Sequence, residues 1–285
     1  MTKDYFNLKS GYSAISFLPM NFIAGKMMLV RAMVIGLNLQ LNKATSNPSD
    51  FIDRNYFFSA MTPMQASNSI NKLKYIDNLI LGGSNVSDSL SSKILSNIDT
   101  YYETYGMTET ATHIAIKRVS KNDSKPNSFK VLNGVSISTD LNNCLVIDVP
   151  SITKNKIITR DIVNIKSNQE FYIIGRADNI INSGGLKINP KMLENEIQKS
   201  LHSTNFYIDK IKNEKLGEEV VLIALLDLKL DSLIESINTI KDKNTRPKKV
   251  FFTDKLFHNE NQKLDRVKSK KYALNLNKSF SLAKK

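Results

Sequence analysis

Cysteine is nearly absent from this 285-residue chain, Cys144 being its only one. A single thiol excludes an internal disulfide framework and any multi-cysteine metal site, and a reducing cytoplasm is the expected setting. Cys144 itself, inside an apolar strand pattern, reads as a buried inert thiol. Long apolar runs are missing too. The most apolar early stretch, residues 17–41, is interrupted by Lys26 and Arg31, so nothing approaches the roughly 18 residues of a membrane-spanning helix. Residues 1–5, Met-Thr-Lys-Asp-Tyr, lack the apolar segment of a secretory signal. Internal repeats, coiled-coil heptads and the signatures of RNA-recognition, zinc-finger and helix-turn-helix modules do not occur. What is present argues against disorder: 41% of residues are hydrophobic, with 13 Phe and 10 Tyr able to build a substantial core. The length suits one large domain or two smaller ones.

The formal charge is +13, and its distribution matters more than its size. Residues 241–285 carry 14 Lys/Arg against 4 Asp/Glu, a net of +10, which leaves +3 for the first 240 residues. A basic C-terminal region attracts polyanions such as RNA, ATP or coenzyme A through long-range fields. It is equally the solvated face of an Asn/Lys/Ile-rich protein. With no nucleic-acid motif beside it, no nucleic-acid partner is expected.

Strand and helix patterns alternate through the first 110 residues. Strands are expected at 12–18, 37–41, 56–61, 76–81 and 100–104. Helices are expected at 25–35, where apolar residues run round the whole circumference and imply burial, at 64–73 behind Pro63, and from the Ser87 cap to 98. This rhythm predicts an α/β sheet packed by helices. Past Lys117 the character changes. A polar loop at 121–128 precedes short strands at 135–139, 144–149, 157–159, 162–165 and 171–174, which suggests a small, mainly antiparallel β-unit. After Arg176 comes Asn182-Ser183-Gly184-Gly185, read as a loop. A helix from Pro190 to 201, strands near 206–211 and 219–228, a helix near 230–240 and a strand at 249–253 then make a compact β/α module. The expected division is a core domain at 1–177 and a smaller C-terminal domain at 178–285.

Two segments carry most of the chemistry. Tyr105-Gly106-Met107-Thr108-Glu109 puts a flat aromatic, a flexible glycine, a hydroxyl and a carboxylate at a strand end, where α/β sheets bind ligands. A Tyr ring can lie against a purine, a Thr hydroxyl can donate to phosphate, and a Glu can hold a divalent cation. The same five residues also fit an ordinary turn with Thr108 capping a helix. The second segment runs from Gly175-Arg176-Ala177-Asp178 to Gly184-Gly185-Leu186-Lys187-Ile188. Its paired glycines permit positive φ and close backbone approach, and its Arg and Asp suit a ribose or a hinge. Taken alone it also fits a hairpin between two strands.

In this order, about 70 residues apart, the two segments resemble the adenylate-forming superfamily of acyl-CoA synthetases. Within that superfamily the chain is most similar to the o-succinylbenzoate–CoA ligase type of menaquinone-synthesising bacteria. Leu18-Pro19, residues 23–32 with Gly25 and Arg31, Tyr102 through Ala115, Thr159-Arg160-Asp161-Ile162-Val163 and Asp178 through Ile188 carry the likeness, which covers nearly the whole chain. It implies the C-terminal part of the enzyme core, built of α/β sheet layers and a small β-unit, followed by a small mobile α+β domain.

The implied mechanism has two halves. A carboxylate attacks the α-phosphate of Mg-ATP, giving acyl-adenylate and pyrophosphate; coenzyme A thiolate then displaces AMP and leaves a thioester. Carried over by position, Tyr105 faces adenine, with Gly82, Gly83 and Gly106 among the nucleotide-binding glycines. Thr108 meets phosphate and Glu109 holds Mg2+. Asp161 takes the ribose hydroxyls and Arg176 assists there. Asp178 is the hinge, Gly184 and Gly185 line the pantetheine path, and Lys263 neutralises charge during adenylation. A lysine on a mobile module suits that task, because the charge need be met only when the module closes.

The sequence departs from the family in several places. The Ser/Thr/Gly-rich, Lys-ended loop that cradles ATP phosphates has no counterpart, since Thr2-Lys3-Asp4-Tyr5-Phe6 already resembles the part just after it. Preorganised donors of this kind are each worth about 100- to 1000-fold in rate. The expectation is a reading frame that starts upstream of Met1; a second polypeptide supplying the loop, or a non-catalytic remnant that binds AMP or acyl-adenylate, are the alternatives. Gln262 stands where glycine precedes the lysine, and Met192 replaces an acid while Glu194 remains. Among lesser features, His113 reads as a surface-helix or packing residue or a contact to a substrate carboxylate. Lys26 and Arg31 either reach for solvent or hold an acidic acyl group.

Overall fold

The computed structural model describes residues 1–123, 127–259 and 264–282. Two compact units are present: Met1–Leu141 with Leu145–Thr159 and Asn164–Tyr172, and Asn142–Cys144 with Arg160–Val163 and Ile173–Lys285. The chain starts with α1 (Thr2–Tyr5), β1 (Ser13–Ser16), α2 (Ile23–Ile35), β2 (Asn38–Leu41), β3 (Tyr56–Met61), α3 (Pro63–Asn68), β4 (Ile76–Leu81), α4 (Asp88–Leu95) and β5 (Thr100–Gly106). It continues through β6 (His113–Ser120), β7 (Phe129–Val131), β8 (Ser136–Thr139), β9 (Cys144–Asp148), β10 (Ile157–Ser167) and β11 (Glu170–Arg176). The remainder is β12 (Ile181–Ser183), β13 (Leu186–Ile188), α5 (Pro190–Leu201), β14 (Phe206–Asn213), β15 (Gly217–Leu225), α6 (Leu230–Asn238), β16 (Lys249–Thr253), α7 (Arg266–Asn275) and β17 (Ser279–Ser281).

Strands β1 to β11 form one sheet in the order β2-β1-β3-β4-β5-β6-β7-β11-β10-β9-β8. Pairing is parallel from β2 to β5 and antiparallel at β5/β6, β6/β7, β7/β11 and β8/β9. The expected antiparallel strands therefore continue the parallel sheet edge to edge instead of forming a separate β-unit. Strands β1, β3 and β4 are buried on both faces, as parallel strands flanked by helices must be. Ile15, Phe17, Met61, Leu79 and Leu81 pack on one side, and Ala14, Leu18, Phe58, Ala60 and Ile80 pack with Met28 and Ala32 of α2 on the other. Strand order reverses between β1 and β3, the kind of switch point at which open α/β sheets leave a crevice.

Two helix starts were expected, behind Pro63 and at the Ser87 cap, and both are present. Thr62 and Gln65 exchange hydrogen bonds as a capping box ahead of α3, with Pro63 in the first turn. Ser87 Oγ accepts from Leu90 N at the start of α4. Two expectations need correction. Helix α2 is not buried all round: Met33 and Val34 are 75% and 78% exposed, because only one face meets the sheet. The strands expected at 157–159 and 162–165 are one continuous β10, since the polar residues between them alternate in burial along the strand without breaking it.

The second unit holds a sheet ordered β13-β12-β15-β16-β17, with β14 also paired to β15. Val220, Leu222 and Ala224 of β15 point to α5 and α6 through Leu193, Ile197, Leu233 and Ile237. Val221 and Ile223 point the other way, toward Tyr207, Phe251 and Ala273 of α7. Period-two alternation thus gives this thin unit two apolar layers. Asn182 and Ser183, expected in a loop, belong to β12, and only Gly184-Gly185 turn. Both have positive φ, +56° and +84°, as a two-residue hairpin turn of this hand requires.

Candidate active site

The Tyr105–Glu109 segment leaves β5 through a register shift in the β5/β6 pairing between Tyr105 and Gly106. Gly106 is required sterically: a Cβ there would lie 2.5 Å from His113 Cα and 2.6 Å from Thr112 O, both backbone atoms. Residues Thr108–Thr110 form a single 3-10 turn. Thr110, not Thr108, organises it. Its buried Oγ1 accepts from Met107 N at 3.0 Å and lies 3.0 Å from Met107 O and 2.8 Å from Thr112 O, either of which its hydroxyl can reach. Ala111 then takes φ +56°, a conformation costly to a residue with a Cβ and of the kind found where loops serve a site. The result leaves the Thr108 and Glu109 side chains exposed on a fixed turn.

Tyr105 is 8% exposed and its ring packs edge-on to Phe171 at 5.4 Å between centroids, with Phe129 at 6.1 Å. Phe129 and Phe171 stack on each other at 5.6 Å. The phenol side chain is therefore one wall of an aromatic cluster. Gly82 follows β4 immediately beside this strand; a Cβ there would come within 2.7 Å of Thr104 Oγ1, which donates to Leu81 O at 3.1 Å. Gly83 has φ +89° with no atom near the position of a Cβ. The tips of β4 and β5 thus bring Gly82, Gly83, Tyr105, Gly106, Thr108 and Glu109 to one end of the sheet. Among the described residues no cluster of three or more His, Cys, Asp or Glu is arranged to hold a metal by itself. A single exposed carboxylate at Glu109 suits Mg2+, which takes one or two protein carboxylates and completes its shell with phosphate oxygens and water.

Near this turn lies a cation with no counter-ion among the described residues. Arg31 of α2 is 7% exposed; its Nη2 donates to Thr112 Oγ1 at 2.6 Å and its Nε has no hydrogen-bond partner among the described residues. No carboxylate pairs with it among the described residues, and burial lowers its pKa to about 10. Gly25 lets α2 start against β1's exit, because a Cβ there would overlap Pro19 O at 2.2 Å. His113 is a buried strand residue, hydrogen-bonded through Nε2 to Thr2 Oγ1 at 3.1 Å, so the helix-surface expectation for it is corrected. Burial, with Arg31 and the N-terminal ammonium adding repulsion, pushes the imidazole down to about 3. It is neutral at pH 7.

The second unit assembles the ribose candidates. Arg176 Nη1 donates to Asp161 Oδ1 at 2.9 Å and Nη2 to Asp178 Oδ2 at 3.0 Å, while Arg160 Nε stands 3.8 Å from Asp178. Burial opposes the Arg176 charge, but Asp178 and Asp161 outweigh it and raise its pKa. Asn189, which sequence reasoning passed over, holds the following segment. Its Oδ1 caps α5 at Lys191 N (3.0 Å), and its Nδ2 donates to Ile174 O (3.0 Å). Gly175 makes room, since a Cβ would lie 2.5 Å from Asn189 Nδ2. An Asn directly before a Pro that opens a helix was the available signal. Lys263 lies outside the described residues.

No protein-family model and no curated protein sequence matches the chain. Solved structures do. An acyl-CoA synthetase (AMP-forming)/AMP-acid ligase II-like protein from Dyadobacter fermentans is 29% identical, with 95% of this chain and 81% of that one covered and a TM-score of 0.58. ATP-bound MatB from Rhodopseudomonas palustris is 17% identical over 95% of this chain and 62% of that one, at a TM-score of 0.80. MenE, the o-succinylbenzoate CoA synthetase of Bacillus subtilis, in complex with the acyl-adenylate OSB-AMP, is 17% identical over 93% and 62%, at 0.76. The same enzyme with ATP and magnesium matches at 0.78. The fold is thus that of the adenylate-forming enzymes, and the chain spans a little over three-fifths of the MatB and MenE chains.

Proposed function

We propose that this chain is part of an ATP-dependent acid–CoA ligase. It would activate a carboxylic acid, o-succinylbenzoate in our reading, as an acyl-adenylate and pass it to coenzyme A, in menaquinone biosynthesis. The observation that carries the reading is the turn after β5: Thr110 fixes its shape, Gly106 permits it, and Thr108 and Glu109 stand exposed on it, in a fold shared with MenE. In the first step a carboxylate oxygen attacks the α-phosphorus and pyrophosphate leaves; in the second a thiolate attacks the acyl carbon and AMP leaves. Thr108 donates to a phosphate oxygen, and Tyr105 offers the purine an aromatic wall. Asp161 accepts from the ribose hydroxyls, with Arg176 orienting its carboxylate at 2.9 Å. Glu109 would hold Mg2+, which neutralises phosphate charge when bound. Lys263 meets the charge that develops on the α-phosphate.

Arg31 narrows the acid. A buried guanidinium without a carboxylate partner is expensive unless a ligand supplies the negative charge. An acid with a second carboxylate, such as o-succinylbenzoate, does so. The departures at Gln262 and Met192 support a second reading: a module that binds AMP or acyl-adenylate without turnover. The test supplies o-succinylbenzoate, ATP, Mg2+ and coenzyme A to this chain and to a version extended upstream, and follows AMP release. Inactivity of the extended form on every acid tried rejects the ligase; AMP binding by calorimetry without pyrophosphate release from the 285-residue chain identifies the binding module.

A further inference from the structure

Strand β5 carries a carboxylate that the chemistry of the turn leaves unused. Glu103 is buried and pairs with Lys117 of β6, its direct cross-strand neighbour, at 2.8 Å between Oε1 and Nζ. Because Ile116 faces Lys130, the next step along the β6/β7 register sets Lys117 opposite Phe129, and Phe129 in turn faces Phe171 of β11. Directly paired residues point to the same face of a sheet, so Glu103, Lys117, Phe129 and Phe171 form one row across four strands. The Lys117 ammonium stands 5.3 Å from the Phe129 ring centroid, and the two Phe rings stack with 20° between their planes. Tyr105, two residues beyond Glu103, shares that face and has Ala115 opposite it. A side chain as small as alanine leaves the phenol ring room to reach Phe171, which it meets edge-on at 80°.

We infer that Glu103 and Lys117 are positioning residues for the nucleobase: by pinning an ammonium over Phe129 they hold the Phe129–Phe171 stack, and through it the tilt of the Tyr105 ring. The inference rests on the proposed contact between Tyr105 and a purine. Stability does not account for the pair, because a buried ion pair roughly breaks even against apolar side chains of similar volume. Direction does. An ammonium drawn to the face of one ring resists its sliding, and edge-to-face contact passes that order to the next ring. A base stacks well only on a ring face held at the matching angle.

The test uses the 285-residue chain and keeps lone buried charges out of the fold. Glu103→Gln combined with Lys117→Met removes both charges at nearly constant volume. The exchange of Glu103→Lys with Lys117→Glu keeps an ion pair but takes the ammonium away from Phe129. By calorimetry, AMP affinity should fall about fivefold in both double variants. Affinity for ribose 5-phosphate, which lacks the base, should change less than about twofold in an NMR titration. Equal loss for both ligands overturns base positioning, and full AMP affinity in the exchanged pair overturns the role of the cation over Phe129. A second arm needs no nucleotide: the nuclear Overhauser contact between the Tyr105 and Phe171 rings, strong in wild type, should weaken in both double variants. An undiminished contact overturns the row's hold on the ring. Tyr105→Leu run alongside separates the premises. Wild type that binds no AMP, or Tyr105→Leu that binds it undiminished, rejects the purine assignment itself, and the ring contact then decides alone whether the row holds the side chain. Weaker AMP binding by Tyr105→Leu with unchanged binding by both double variants overturns the positioning role.

Discussion

Replacing Arg31 by methionine should stabilise the free protein while removing an anion site. The guanidinium is buried, its Nε has no partner among the described residues, and its hydrogen bond to Thr112 is made with a neutral hydroxyl. Burial lowers its pKa well below the ordinary arginine value, to about 10. At about 1.4 kcal/mol per pKa unit, the charged form carries a penalty of about 3 kcal/mol in the fold. The hydrogen bond to Thr112 returns about 1.5 kcal/mol or somewhat more. Methionine keeps the apolar stem and adapts to the space, so Arg31→Met should gain about 1–2 kcal/mol, or roughly 3–6 °C in Tm for a unit of this size. The sign with pH follows from linkage. A depressed basic pKa means the penalty is present throughout the range below about 10 and fades only as pH rises from there toward the ordinary arginine value. The variant's advantage should therefore be the same at pH 7 and pH 8.5, measured by urea and thermal denaturation. Adding o-succinylbenzoate should raise the wild-type midpoint and leave that of Arg31→Met unmoved. A variant less stable than wild type at pH 7 would refute the reasoning, because Arg31 would then be a charge the fold itself compensates.

His113 is held neutral down to about 3, against 6.5 when unfolded, so stability should fall as pH drops through that window, with a slope approaching about 1.4 kcal/mol per unit. Urea midpoints for wild type and His113→Asn should converge between pH 7 and pH 4, and a constant gap would show that His113 does not titrate on unfolding. Gly106→Ala forces a Cβ to 2.5 Å from His113 Cα; displacing that backbone should cost about 1–3 kcal/mol and weaken AMP binding, readable by thermal shift and calorimetry. An unchanged midpoint would mean the turn adjusts freely. Lys263→Ala should lower adenylation about 100- to 1000-fold and leave thioester formation from preformed adenylate largely intact, as resolved by pyrophosphate and thioester assays. Equal loss in both steps would contradict that division of labour.

Much of the local architecture was determined by the amino-acid order alone. The apolar runs at β3, β4 and β16, the Ser87 cap, the Thr62–Pro63–Gln65 box and the turn at Gly184-Gly185 each follow from periodicity or from conformations only certain residues tolerate. So does the bringing of Tyr105, Thr108 and Glu109 to the tip of one strand, since five neighbouring residues need no tertiary information to stay together. Pairs distant in sequence were decided otherwise. That Arg176 grips Asp161, that Arg31 rests on Thr112 with no counter-charge among the described residues, that Gly175 clears Asn189, and that Arg266 pairs with Glu194 depend on which strands and helices become neighbours. Burial along a helix is likewise settled by what lies against it, as α2 shows with its outward Met33 and Val34. Periodicity reports only what a residue's own element does; a side chain's partner, and hence its charge state and its chemistry, belongs to the packing.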